Sequence, residues 1–214
     1  MSWRSLFIAL VLSVGSFVLY GQIPASFGLK GGISLANQSF RITPIDYELE
    51  TKALSAPALA LFVEAFKGNH FSFQMDVGYV VKGSSTTTQS VTVNHLDNDR
   101  IIVNEGDLQV SKFNYLSLSP MARLRAQKGA ITPYVLLGPR IDLLLNYNTG
   151  SDHPLEEQNS LVVGLSGGVG LEYSLTMAGV FAELQYQPDL SPVTNMEPLL
   201  INNNSLVFTV GIRF

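Results

Sequence analysis

Over the final nine residues, 206–214, apolar side chains recur at every second position. Leu206, Phe208, Val210, Ile212 and Phe214 share one face and Val207, Thr209, Gly211 and Arg213 the other, because strand side chains alternate between faces. The same period of two recurs upstream, and eight strands are predicted near 26–37, 56–66, 71–83, 113–126, 131–146, 160–174, 179–188 and 204–214. Each has about ten residues or more, the length a tilted strand needs to cross a bilayer. The connections alternate in length. Lys67-Gly68-Asn69-His70, Gln127-Lys128-Gly129-Ala130 and the stretch from Leu175 to Ala178 read as tight turns, whereas 38–55, 84–112, 147–159 and 189–203 are long and polar. Short periplasmic turns opposite longer extracellular loops are the asymmetry of outer-membrane barrels. The predicted fold is all-β, an eight-stranded antiparallel up-and-down transmembrane barrel with both termini on the periplasmic side. Within 84–112, Ser90 to Asn94 can face Ile101 to Asn104 across Asp97-Asn98-Asp99, which predicts a hairpin standing above the membrane.

Parity separates a lipid face from a lumen. Phe71, Phe73, Met75, Val77, Tyr79 and Val81 fall on one face of the third strand, and Val135, Leu137, Pro139, Ile141 and Leu143 on one face of the fifth. With the more apolar set turned outward on every strand, all charges inside the spans point inward: Lys30, Glu64, Asp76, Lys82, Arg123, Arg125, Arg140, Asp142, Glu172, Glu183 and Arg213. Arg or Lys on the lipid face would cost about 2–4 kcal/mol at the bilayer midplane. An eight-stranded barrel is just wide enough for its side chains to fill. Near-balanced charge in that space predicts a salt-bridged plug, since isolated buried charges are costly. Strand order places Asp76 beside Arg123 and Glu64 between Lys30 and Asp76. Arg140, Asp142 and Lys82 are expected higher, further from the turns.

The amino terminus adds a destination. Arg4 precedes a charge-free apolar run from Leu6 to Tyr20, and Gly21 is small. This reads as a cleaved signal peptide over 1–21, leaving 22–214 as the barrel domain. No later apolar segment reaches the length of a membrane-spanning helix. With no cysteine in 214 residues, disulfides and thiolate chemistry are excluded, and a net charge of −4 gives no reason to expect nucleic acid. The three histidines, His70, His95 and His153, fall in a turn and two loops. The Gly-x-Ser-x-Gly spacing of Gly164-Leu165-Ser166-Gly167-Gly168 falls inside a predicted strand and makes no strand-to-helix elbow, and there is no His-x-x-x-His pair, so no catalytic residue, cofactor or metal site is predicted. The acidic loop residues Asp97, Asp99, Glu105, Asp107, Asp152, Glu156 and Glu157 read as solvated.

Several motifs carry a family resemblance. Phe27-Gly28-Leu29-Lys30-Gly31-Gly32-Ile33-Ser34-Leu35-Ala36-Asn37 resembles the first strand of the PorT-like outer-membrane β-barrel family, small barrels of the OmpA/OmpX type. Asp76 to Gly83 is similar to its third strand, Asn114-Tyr115-Leu116 before Pro120 to its fourth, and Pro133-Tyr134-Val135 before Gly138-Pro139 to its fifth. Glu183-Leu184-Gln185-Tyr186 is similar to the seventh, with Gln185 where the family often has Arg. The resemblance implies a bacterial outer-membrane location, lipid contact and insertion by barrel assembly machinery that reads Phe214. Some members of that family are tied to secretion machinery; the filled lumen and the lack of a catalytic constellation favour a non-enzymatic, structural or interaction role accessory to secretion or envelope machinery. Loop 84–112 is the expected surface for an envelope or surface protein partner. A narrow passive channel and a lipid-modifying barrel enzyme are the alternative readings.

Overall fold

The computed structural model describes residues 26–42, 52–66, 68–94, 100–126, 129–148, 158–193 and 199–214. Residues 1–21, the expected signal peptide, lie outside the described residues, as do His95, Asp97, Asp99, Asp152, His153, Glu156 and Glu157. Period-two patterning becomes eight strands: β1 (Ser26–Ile42), β2 (Lys52–Ala65), β3 (Phe71–Asn94), β4 (Arg100–Arg125), β5 (Ile131–Asn148), β6 (Leu161–Ser174), β7 (Gly179–Pro188) and β8 (Leu199–Arg213). Each pairs antiparallel with its neighbour in sequence, and β1 closes against β8 from Gly28↔Arg213 to Ile42↔Leu199, giving a closed barrel. Closure leaves no sheet edge around the wall, as a structure spanning lipid requires. At the seam, Phe27 and Phe214 exchange backbone hydrogen bonds of 3.1 and 2.8 Å, and their rings lie 5.8 Å apart.

Burial is inverted relative to a water-soluble protein. Leu29, Leu59, Leu61, Leu137, Val169 and Leu171 are each more than half exposed on the outer wall, while Lys82, Arg123 and Arg140 are fully buried inside. Val81, expected outside, is instead buried near an irregularity: between Ala53 and Ala58 of β2 the register against β3 shifts by one residue.

The strands run well into the stretches expected to be loops. β1 reaches Ile42, β2 begins at Lys52, and β8 begins at Leu199, so paired strand ends extend the wall at the end opposite the turns. Apolar alternation is needed only where the outer face meets lipid. Beyond it, ladder hydrogen bonds sustain a strand without that pattern. The expected hairpin is the continuous end of β3 and β4, paired from Ser84↔Ser111 to Asn94↔Arg100 with one irregularity between Thr87 and Gln89. Gly83, at its base, has φ 146°, a conformation that L side chains rarely adopt, and an added Cβ would collide with the Ser111 carbonyl.

Candidate functional site

The barrel interior collects side chains from all eight strands, in three groups ranked by distance from the turns. Nearest the turns are Glu64, Arg123, Arg125, Glu172 and Arg213. Arg125 pairs with Glu64 and donates to Ser72 Oγ at 2.8 Å, and Ser26 Oγ donates to Glu64 Oε2 at 2.8 Å. Arg123 Nη2 donates to Glu172 Oε2 at 2.6 Å, and Arg213 holds the other Glu172 oxygen. Looser contacts of 3.7 and 3.9 Å tie Arg213 and Arg123 to Glu64, so two carboxylates and three guanidiniums form one web. The Arg123 guanidinium also lies 3.7 Å from the centre of the Tyr134 ring, a cation–π contact in a desolvated place.

Above this, Lys30 Nζ sits 2.6 Å from both Asp76 Oδ2 and Glu183 Oε2. Polar neighbours add to this: Gln74 donates to Asp76 Oδ1 at 2.8 Å and Tyr134 to Glu183 Oε1 at 2.9 Å, while Gln185 shares Glu183 Oε2 with Lys30, donating at 2.9 Å. Highest is a compact four-residue group. Lys82 Nζ lies 2.5 Å from Asp142 and 2.7 Å from Asp189, and Arg140 Nε donates to Asp142 at 2.8 Å while its Nη2 pairs with Asp189. Gly164 makes room for it, since a Cβ there would run into the Arg140 guanidinium. Val80, Phe113, Tyr115, Val162 and Val193 form a buried apolar cluster at this end of the interior.

Each of the eleven charges assigned to the lumen by parity lies on the inner wall, ten of them buried and Arg213 partly so. Their partners differ from those that strand order suggested. Asp76 meets Lys30 and Gln74 rather than Arg123, and Arg123 reaches Glu172 two strands away. In so narrow a barrel, a long side chain crosses the lumen as readily as it meets the next strand. One member was missed. Asp189 was assigned to the loop 189–203, yet it continues the wall through a bridge to Gly164 and is buried. Its parity with Glu183, Gln185 and Gln187 was the available signal. Among the described residues, six cations and six carboxylates now balance in the lumen. Among the histidines, only His70 is described; its ring nitrogen lies 3.4 Å from the Arg125 carbonyl.

Inward charges, an apolar outer wall and closure by eight strands together describe a membrane barrel. A family model described as outer membrane protein beta-barrel domain matches residues 20–195. The chain belongs to this family. Family membership places the protein in the bacterial outer membrane, with its apolar wall toward lipid. No curated protein matches the chain. Similar solved structures include Ail, the attachment invasion locus protein of Yersinia pestis, in complex with the heparin analogue sucrose octasulfate. That pair shares 12% identity over 88% of this chain and 98% of the other, with a TM-score of 0.43. Neisserial surface protein A is similar at 14% identity over 88% and 97%, TM-score 0.47. The outer membrane protease OmpT from Escherichia coli is similar at 9% identity over 90% and 97%, TM-score 0.47.

Proposed function

We propose that this family member is a plugged scaffold barrel, one that presents its long hairpin to an envelope or surface protein partner. The observation that carries the reading is the reach of that hairpin. β3 pairs with β2 only as far as Ser85↔Lys52, and β4 with β5 only as far as Lys112↔Asn148, yet β3 and β4 continue together to Asn94↔Arg100. Among the described residues no strand pairs with the outer flanks of this extension. Its β3 arm, residues 86–94, spans about 30 Å at 3.3 Å each. Unpaired strand edges are ready templates for an added strand, the mode in which backbone hydrogen bonds supply affinity. The motifs similar to the PorT-like family favour an accessory place in secretion or envelope machinery.

The plug half of the reading rests on paired lumen charges below an apolar cluster. Both halves have a direct test. Deleting residues 88–108 is expected to leave heat-modifiable gel migration unchanged and to abolish cross-linking of the barrel to its surface partner. Loss of the folded barrel in that deletion would show that the hairpin is part of the scaffold and not a separate docking element.

A further inference from the structure

We propose that the outer wall over β5 to β8, in its periplasmic half, carries a binding site for one diacyl phospholipid, whose two chains lie in two troughs that meet at Ala182. Register builds the site from three rows of outward side chains. Leu124, Val135, Val169, Leu184 and Phe208 stand opposite one another on successive strands and form the upper row. Ile131, Tyr173, Val180 and Ile212 form the lower row, next to the turns. Between them run Pro133, Leu171, Ala182 and Val210. Rows on one face are two residues apart, about 7 Å, so a small residue in the middle row leaves a gap on both sides of itself. Ala182 is that residue, set between Leu171 and Val210, which are each more than half exposed. A hollow of about 600 Å³ lies between the upper and middle rows and one of about 680 Å³ between the middle and lower rows, and Leu171 and Ala182 border both.

Position and chemistry select the occupant. The outward side chains around both hollows are apolar apart from the Tyr173 hydroxyl; Arg125, Glu172 and Glu183, which also border them, turn into the lumen to their ion-pair partners. Lipid tails are as apolar as these side chains, so burial of apolar area does not by itself hold one lipid against the surrounding bilayer. Only the van der Waals contacts of a shaped fit do, and a tail passing a flat stretch of wall gains none of them. Two troughs joined at one point match two chains joined through one glycerol. The lower row is the last outward row before the turns, since β5 begins at Ile131 and β7 at Gly179. Short turns are periplasmic, so the site faces the phospholipid leaflet rather than lipopolysaccharide, and Tyr173 marks the headgroup level as interfacial aromatics do. The site is independent of both the plug and the hairpin.

Native mass spectrometry of the barrel extracted from outer membranes in mild detergent tests the site. One bound phospholipid per barrel is expected to survive the activation that strips detergent. Ala182→Phe, which fills the junction of the troughs, should lower that occupancy by about tenfold. Val77→Phe, at an exposed position on the outer face of β3, should leave it unchanged, and heat-modifiable migration checks the folding of both variants. A phospholipid with a photoreactive diazirine in its acyl chain tests the unsubstituted wall, and its cross-links should concentrate on Leu171, Ala182 and Val210 over Val77. The site is overturned by the absence of a retained phospholipid, by equal retention in the two variants, or by lipopolysaccharide in its place. A barrel dimer that Ala182→Phe disrupts, or cross-links spread evenly over the outer wall, would overturn it as well.

Discussion

At the scale of single residues, the lumen shows how a charged interior is made tolerable. Removing two ions from water costs more than a surface pair can return, so burial demands several partners for each group. Lys82, Lys30 and Arg140 each touch two carboxylates, and Glu172 holds two arginines. Breaking one member therefore strands another. Arg123→Leu leaves Glu172 with one cation and removes the contact with Tyr134, and should lower stability by about 3–5 kcal/mol in urea unfolding from lipid vesicles. Asp189→Asn discriminates between wall and loop: it leaves Lys82 and Arg140 sharing Asp142 alone. A clear fall in the urea midpoint is expected, whereas a solvated loop aspartate would leave it unchanged.

At the scale of strands, the controlling quantity is which face a position belongs to. Leu171 on β6 lies opposite Ala182 of β7 and is exposed on the outer wall, while Glu172, one residue on, is buried inside. Leu171→Arg is expected to cost up to about 2–4 kcal/mol on the lipid face, the full value applying at the midplane, and the loss should shrink when the protein is held in a zwitterionic micelle that deforms around the charge. Strand length follows different physics. The period of two ends near residue 83 in β3, but pairing goes on to Asn94 because Thr- and Val-rich chain makes a good ladder with β4 outside the membrane. Gly83→Ala at the base of this extension should destabilise it through its φ of 146° and the collision with Ser111, visible as earlier proteolysis within 84–112 of folded barrels.

At the scale of the whole barrel, closure and filling set transport. Ion pairs cross the lumen in three groups, and an apolar cluster occupies the end away from the turns. The refolded barrel in a planar bilayer is expected to be electrically silent after heat-modifiable migration confirms folding. Steady ion-selective openings would transfer the reading to a narrow channel lined by the same charges.

The fold and the composition of the lumen were legible in the sequence, because a bilayer imposes one simple rule on every strand. Apolar side chains go out and charges go in, at a fixed period, so Lys30, Glu64, Asp76, Arg140 and Glu183 could be assigned by counting. Where lipid ends, the rule ends with it. The extensions of β1 and β8 depend on backbone pairing that leaves no clear hydrophobic period to read; the β3–β4 hairpin was legible from its own alternation but its continuity with the spans was not, and Asp189 had only its parity with Glu183 to place it in the wall. Partner choice was likewise a matter for tertiary structure. Whether Asp76 meets Arg123 beside it or Lys30 two strands away is decided by barrel diameter and side-chain reach, and neither is a property of any one strand.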